Sequence, residues 1–253
     1  MSGPEARTRT TAPALMRFDE IDAAVDEELS PSSAGPDPVG LDEIWRRLVA
    51  GHIVIVGEDY TDDHVSLIVE HRDIRRGARG VDVKVLERVF RGEPQKKLAI
   101  ELGVSVATVT RMCMAVLRKM GAVDQSVANA SVVLVMAAHA ASGVRLAAAT
   151  AELTSIGAAP SRWRVSTRNP AVALRRFLSP SEYAVARLAI QGESDVGIAV
   201  LRSTSPRTVA NQVAASFRKL RVQRRTELRV AAVIEHARQT QDSGAISTTA
   251  LRH

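Results

Sequence analysis

Apolar residues recur at helical spacing along two stretches of the chain, residues 81–141 and residues 178–237. Glycines divide the first stretch into segments of helix length, because Gly92, Gly103 and Gly121 each follow an apolar run. The pattern predicts helices over about 82–91, 95–102, 106–120 and 125–141.

A different pattern precedes the first stretch. Apolar residues on one helical face predict a helix at Leu41–Ala50. The β-branched runs His52–Val56 and Val65–Glu70 predict a β-hairpin whose loop is the polar segment EDYTDD. Residues 1–40 are rich in Pro, Ser, Gly and acidic side chains, a composition typical of disorder.

The two stretches repeat each other at a distance of 100 residues, without a gap between 82 and 120. The matches fall on glycines, on a serine cap and on inward positions, which a shared fold constrains most. A helix predicted at about 224–237 takes the place of the fourth helix. The identical pairs include Val85 and Val185, Gly92 and Gly192, Glu93 and Glu193, Ala99 and Ala199, Ser105 and Ser205, Thr108 and Thr208, Val109 and Val209, Arg118 and Arg218, and Lys119 and Lys219.

The repeat also favours a strand before the second stretch. Arg162–Asn169 is strand-like, and a partner strand near Leu146–Leu153 is rich in alanine. Two helices joined by a tight turn within each four-helix set have the spacing of a helix-turn-helix unit. We expect a mainly α protein with a disordered acidic tail over 1–40, a helix plus β-hairpin over 41–79, a first helix-turn-helix unit over 80–141, a linker with or without a short hairpin over 142–177, a second unit over 178–240 and a disordered tail over 241–253.

The charge of the chain is unevenly distributed. Residues 1–45 carry ten acidic and three basic residues, whereas residues 46–253 carry 18 acidic and 31 basic residues. A basic body favours a polyanionic partner, with nucleic acid first, although a solvated basic surface has the same composition. Aromatic residues make up only 3% of the chain, fewer than enzymes with shaped pockets usually contain.

Cysteine content and hydropathy indicate a cytoplasmic protein without a membrane segment. Cys113 is the only cysteine, so an internal disulfide is impossible and a reducing compartment is expected. Its apolar neighbours favour a packing role over a redox role. The N-terminus lacks the apolar core of a signal peptide, and the longest apolar run, Ser131–Ala141, is too short to span a bilayer.

Metal-binding and catalytic motifs do not emerge. The residues that come nearest to a metal site flank predicted strands in a polar loop, where solvated turn residues are the expected interpretation. Phosphate-binding, dinucleotide, zinc-protease and nucleophile-elbow motifs are absent from the sequence. We expect that the protein is not an enzyme and that it binds no cofactor and no metal ion. The residues nearest to a metal set are Asp62, Asp63, His64, His71 and Asp73.

Motif residues occur at corresponding places in both stretches. The first carries Gly92, Lys96, Leu98-Ala99, Leu102-Gly103-Val104-Ser105, Thr108-Val109 and Leu117-Arg118-Lys119-Met120-Gly121, and the second carries Leu178-Ser179-Pro180-Ser181-Glu182, Gly192, Ser194, Ile198-Ala199, Ser205, Thr208-Val209 and Arg218-Lys219-Leu220. These residues resemble the C-terminal DNA-binding domain of LuxR/NarL-type regulators, over about 110 residues in total. Region 4 of sigma factors is a weaker resemblance.

The resemblance implies that the third helix of each unit enters the major groove of double-stranded DNA. Helix starts and terminal cations would hold phosphates, and residues after the Thr-Val pair would contact base edges. The residues expected to contact DNA are Lys96, Lys97, Ser105, Thr108, Val109, Thr110, Arg111, Arg118 and Lys119 in the first unit and Arg207, Thr208, Val209, Asn211, Arg218 and Lys219 in the second.

Each unit departs from the family pattern in its own way. The first has Gly80-Val81-Asp82-Val83 in place of the capping motif. The second has Arg202 and Thr204 where apolar residues pack, and Ala210 and Asn211 at base-contact positions. The first unit is therefore expected to be the better DNA reader. We expect a transcriptional regulator, either a monomer whose units form a pseudo-dimer or a homodimer; the alternative is a non-catalytic module that binds RNA polymerase, a sigma factor or another regulator.

Overall fold

The computed structural model describes residues 37–72, 77–122, 130–143, 150–156 and 162–250. The helices of these ranges are α1 (Leu41–Ala50), α2 (Gly80–Phe90), α3 (Gln95–Leu102), α4 (Val106–Lys119), α5 (Val132–Ala141), α6 (Pro180–Ile190), α7 (Asp195–Leu201), α8 (Pro206–Leu220) and α9 (Arg225–Ala250), with a 3-10 helix at Pro170–Arg176. The strands are β1 (Asp37–Gly40), β2 (Ile53–Tyr60), β3 (His64–His71), β4 (Thr150–Ser155) and β5 (Arg162–Arg168). The prediction of a mainly helical protein is confirmed.

Both predicted tails have wrong boundaries. The N-terminal tail predicted over 1–40 ends earlier, because Asp37–Gly40 form an edge strand that tolerates a proline. The rest of that tail, residues 1–36, lies outside the described residues. The C-terminal tail predicted over 241–253 is wrong as far as Ala250, because α9 continues through it without a proline to interrupt the backbone ladder.

The five strands form one antiparallel sheet in the order β1–β4–β5–β3–β2. The hairpin left open in the interval 142–177 is confirmed as β4–β5, with Leu153 opposite Val165. It joins the predicted hairpin β2–β3 through the β3–β5 ladder. The interval expected as a linker therefore supplies the middle of the sheet.

The β2–β3 hairpin is longer than predicted. Residues 58–60 of the expected loop belong to β2, and the turn is closed by hydrogen bonds between Thr61 and His64. A β-bulge lies between Ile55 and Gly57. The extra residue shifts the alternation of inward and outward side chains by one position. A search for strict alternation of apolar and polar residues therefore does not detect the second half of the strand.

The β3–β5 ladder has an internal two-fold symmetry. It places Ser66 opposite Ser166, Val65 opposite Thr167 and Leu67 opposite Val165. Shifting both members of the pair Val65–Thr167 by 100 residues, in opposite directions, gives the pair Val165–Leu67 of the same ladder. Directly opposed residues in an antiparallel ladder surround a local two-fold axis perpendicular to the sheet. This axis passes between Ser66 and Ser166.

The helices repeat with the same offset. The first residues of α2, α3 and α4 lie 100 positions before those of α6, α7 and α8. Left-handed backbone positions repeat as well, even where the glycine has been replaced. The pairs are Gly92 (φ 89°) and Gly192 (φ 99°), Gly103 (φ 64°) and Ser203 (φ 50°), and Gly121 (φ 88°) and Arg221 (φ 55°). The repeat is therefore a repeat of backbone conformation, and we call its two halves the first and the second copy.

One apolar core holds both copies together. Val65, Leu67 and Val69 on β3 are buried on one face of the sheet, together with Val165 and Trp163 of β5. Helix α5 contacts β3 and packs against α1 and α9. Because α5 is buried around most of its circumference, its sequence is an almost continuous apolar run.

The fourth helices also complete the hydrogen bonding of α2 and α6. The Nε2 atom of His139 on α5 lies 3.0 Å from the carbonyl oxygen of Phe90, and Nε of Arg229 on α9 donates to the carbonyl oxygen of Ile190 over 2.7 Å. Burial lowers the pKa of His139, so the neutral ring fits this place. The carbonyl groups of Phe90 and Ile190 occupy equivalent positions of the repeat, and each has a hydrogen-bond partner from a different type of side chain.

No single helix within the described ranges is long and apolar enough to cross a membrane.

Candidate nucleic-acid interface

The first candidate interface is built on the turn between α3 and α4, where the chain bends by 105°. Gly103 ends α3 in the left-handed conformation, and its backbone N–H bonds back to the helix. Ser105 caps α4: its Oγ atom accepts a hydrogen bond from the backbone N–H of Thr108 over 3.1 Å and lies 3.0 Å from Thr108 Oγ1. This geometry places the first turn of α4 at the surface.

The second candidate interface repeats this geometry between α7 and α8. Ser205 Oγ accepts from Thr208 N–H over 3.1 Å and lies 2.9 Å from Thr208 Oγ1. Ser203 takes the left-handed conformation of Gly103. That conformation costs a residue other than glycine about 1 kcal/mol, so the second turn is kept at a small energetic cost.

The two copies differ in how their leading helix is capped. Ser179 and Glu182 form a reciprocal capping box at the start of α6, whereas α2 begins after Arg79 without a side-chain cap. Lys219 Nζ lies 2.6 Å from Glu182 Oε2 and thereby ties the end of α8 to α6. The hydrogen bond from Lys219, with that from the Ser179 N–H, lowers the pKa of Glu182 to about 2.

Several predicted contact residues are exposed cations. Arg111 is exposed, and its guanidinium group donates to Thr108 Oγ1 over 3.2 Å, across one turn of α4. No hydrogen bond or ion pair joins the side chains of the other members of this group to another described residue. Such cationic side chains are available to bind an anion such as phosphate. The other members are Lys96, Arg118, Arg207 and Arg218.

Three predicted lysines are already engaged within the protein. Lys119 Nζ donates to the carbonyl oxygen of Gly77 over 2.7 Å, and Lys219 is bound to Glu182. Lys97 Nζ lies 3.7 Å from a carboxylate oxygen of Glu93 and equally far from one of Glu101. The Lys97 side chain is exposed and both of its ion pairs are long, so these two pairs are weak and solvent-screened.

The prediction that Val109 and Val209 contact DNA is wrong, because both side chains have no exposed surface. Val109 lies on the inward face of α4 with Cys113 and Val116. The repeated valine therefore anchors the helix to the core, and the neighbouring threonine forms the surface.

The remaining predicted residues differ between the copies. Thr110 is half-buried, and its hydroxyl donates to Gln95 Oε1 over 2.9 Å, which links α4 to the start of α3. In the second copy, Thr208 and Asn211 are exposed, as is Ala210 at the position equivalent to Thr110. Thr110 is thus held by α3, whereas the equivalent position on α8 is an exposed alanine.

The sequence analysis missed a group of second-copy residues that faces the first copy across a cleft. Arg225 binds the Asp195 carboxylate over 2.5 Å and the carbonyl oxygen of Glu193. A cleft of about 360 Å³ separates this loop from the first copy. The arginines of residues 221–225 were the available signal in the sequence. The cleft is lined by Val89, Gly92, Glu93, Gln95, Lys96, Val106, Arg224, Arg225, Thr226 and Glu227.

The cysteine and the residues nearest to a metal-binding set do not form a reactive or metal-binding site within the described ranges. Cys113 is fully buried, as expected from its neighbours, and burial raises the pKa of its thiol to about 12. His64 and His71 are exposed at the two ends of β3, and Asp73 lies outside the described residues. Within the described ranges, no group of three His, Cys, Asp or Glu side chains is placed to hold a metal ion.

Comparison with protein-family models, with characterised proteins and with solved structures found no match for this chain.

Proposed function

We propose that the chain is a sequence-specific DNA-binding transcriptional regulator that uses α3–α4 and α7–α8 as two helix-turn-helix units. The observation that carries the proposal is the pair of equivalent turns, each with a left-handed residue followed by a Ser–Thr cap. Two helices at about 90–120°, joined by a short turn, form the usual helix-turn-helix geometry. The bend of 105° in the first copy agrees with it.

The start of α4 offers a phosphate site in this proposal. Backbone N–H groups of the first turn carry the positive end of the helix dipole, and Thr108 places a hydroxyl group beside them. Arg111 lies one turn further along the exposed surface of α4. An arginine at such a position binds guanine through its O6 and N7 atoms.

The two copies form one DNA-binding body in the proposal. Helices α5 and α9 contact each other, and the strands of both copies share a sheet. A single chain then presents α4 and α8 together, without a second subunit. This arrangement corresponds to the pseudo-dimer expected from the repeat.

The proposal is tested by measuring the affinity for DNA fragments as a function of salt. Release of counterions by lysine and arginine should give a steep linear fall of log K with log salt concentration. Light scattering should show a monomer, and a footprint should cover about two helical turns of DNA. Binding of no fragment at low salt would refute the proposal; a footprint of one turn would refute the pseudo-dimer.

A second candidate function is a protein-interaction module. The outer surface of α7 exposes three apolar side chains, Val196 (63%), Val200 (75%) and Leu201 (62%), and Ile100 is exposed to 74% at the position equivalent to Val200. Exposed apolar groups of this kind fit a protein partner such as RNA polymerase or a sigma factor. Loss of polymerase binding in Val200→Ser, with DNA affinity unchanged, would favour this function.

A further inference from the structure

The two-fold axis of the β3–β5 ladder lies between two copies that each contain one helix proposed to contact bases. The axis is perpendicular to the sheet and passes between Ser66 and Ser166. Rotation about such an axis keeps both copies on the same side of the sheet and reverses directions within its plane. The offset of 100 residues extends to α4 and α8, and the fourth helices that follow them contact each other. Extended along the repeat, the two-fold relation of the β3–β5 ladder would place α4 and α8 on the same side of the sheet with opposite in-plane directions.

A two-fold relation between reading helices selects inverted half-sites. The symmetry of an operator mirrors the symmetry of the protein bound to it, so two copies related by rotation bind the same sequence on opposite strands. Direct repeats would require copies related by translation along the DNA. The β3–β5 register excludes a purely translational relation, since it pairs the two copies antiparallel.

The groove-facing side chains break this symmetry. At three equivalent positions along α4 and α8, the first copy has the exposed Ala107 and Arg111 and the half-buried Thr110. The second copy has arginine, alanine and asparagine at the corresponding places. Arginine favours guanine, and asparagine favours adenine. The two helices thus repeat the same backbone conformation but carry side chains that favour different bases.

We infer that one chain binds an asymmetric bipartite DNA site, made of two inverted half-sites of different sequence, in a single orientation. The inference rests on the proposed function and adds the form of the ligand to it. Each copy occupies its own half-site, and a palindrome built from either half alone is bound about tenfold more weakly or worse, because each mismatched base pair reduces affinity by about that factor.

Selection from random DNA with two proteins tests the inference. One is the native chain, and the other carries Arg207→Ala, Ala210→Thr and Asn211→Arg, which give the second copy the residues of the first at exposed positions. The native chain should select two inverted, unequal halves. The triple variant should select a palindrome whose halves both match the half-site of the first copy.

The outcomes separate the inference from the proposed function. If neither protein enriches any sequence, the proposed DNA-binding function fails. If both enrich sites but the triple variant selects direct repeats, the two-fold arrangement is wrong. If the variant selects the same site as the native chain, the second copy does not contact bases and the inference is overturned.

Orientation is tested independently with a DNA-cleaving reagent attached to a single introduced cysteine. Ala107→Cys on α4 and Ala210→Cys on α8 are exposed sites, and the native Cys113 is fully buried. On the selected site, each variant should cleave near one half only, and the two should cleave opposite halves. Equal cleavage at both halves by either variant would show that the chain binds in two orientations. The native chain treated with the same reagent is the control.

Discussion

The Oγ atoms of Ser66 and Ser166 lie 2.6 Å apart, although 100 residues separate them in the chain. They occupy equivalent positions of the repeat and meet on its two-fold axis. A contact between a residue and its own equivalent is characteristic of a two-fold interface. In this chain, the interface lies between two copies within one polypeptide.

The serine pair should be energetically coupled. Ser66→Ala leaves the half-buried Ser166 hydroxyl without its partner and should lower the free energy of unfolding by about 1 kcal/mol. Ser166→Ala should have a similar effect, and the double variant should cost no more than one single variant. Urea denaturation of all four proteins measures the coupling, with Thr154→Ala, at an exposed position of β4, as the control. Additive losses would contradict a shared hydrogen bond.

Two glycines with the same backbone conformation should differ in their tolerance of a side chain. A Cβ atom at Gly121 would lie 2.3 Å from the carbonyl oxygen of Ile55, whereas one at Gly103 would meet nothing within 4 Å. Gly103→Ala should cost about 1 kcal/mol for its positive φ. Gly121→Ala should cost at least about 2 kcal/mol, since the strand must also move. Equal losses in thermal or urea unfolding would contradict this packing.

Glu182 should make stability depend on pH in acid. Its pKa is lowered from 4.5 to about 2 in the folded protein. A lowered folded-state pKa stabilises the fold above the unfolded-state value and loses that effect as the pH falls from about 4.5 towards 2. Glu182→Gln should flatten the pH dependence of unfolding over this interval. Glu152→Gln, an exposed carboxylate on β4, is the control and should leave the slope unchanged.

Arg111 and Arg118 should contribute differently to DNA binding. Both are exposed on α4, Arg111 near its start and Arg118 at its end. Arg111→Ala should cost about 1–3 kcal/mol on the selected site and relax base preference at one position. Arg118→Ala should weaken binding to all DNA sequences alike. It should also reduce the slope of log K against log salt concentration by about 1. Unchanged preference in Arg111→Ala, measured by competition binding, would exclude it from base contact.

Cys113 should be inert in the folded protein. Its thiol is fully buried, and its pKa is raised to about 12. Since the thiolate is the reactive form, a thiol reagent at pH 8 should label the chain only after unfolding. Mass spectrometry with and without denaturant provides the measurement. Rapid labelling of the native chain would show that α4 opens from the core.

Local chemistry in the sequence was sufficient to predict some helix boundaries of the first copy. Helix α3 spans the predicted residues and α4 begins at the predicted residue after the Ser105 cap, whereas α5 begins only at Val132, after Ala130 and Ser131 that the prediction placed inside the helix. Such signals act within one helical turn, so distant residues do not alter them. Ser203 is an exception, because its backbone keeps the left-handed conformation although the sequence has no glycine there to indicate it.

Which side of each helix is buried was harder to predict from the sequence. The Thr-Val pairs resembled a base-contacting surface, yet the valines are buried. An apolar residue at helical spacing serves equally well inside the core and at a groove, and only the neighbouring helices decide between them. The surroundings of Lys119 and Lys219 are likewise formed by residues far away in the chain.

The sequence by itself therefore determined that two copies of a four-helix pattern follow each other at an offset of 100 residues. The tertiary structure decided that they share one sheet, through β3 against β5 and β1 against β4. The physical reason is that strand pairing is chosen by long-range packing and register, for which the alanine-rich sequence before β4 and the bulge in β2 carry little local signal. The two-fold axis at Ser66 and Ser166 arises from that pairing, and the proposed form of the DNA site follows from the axis.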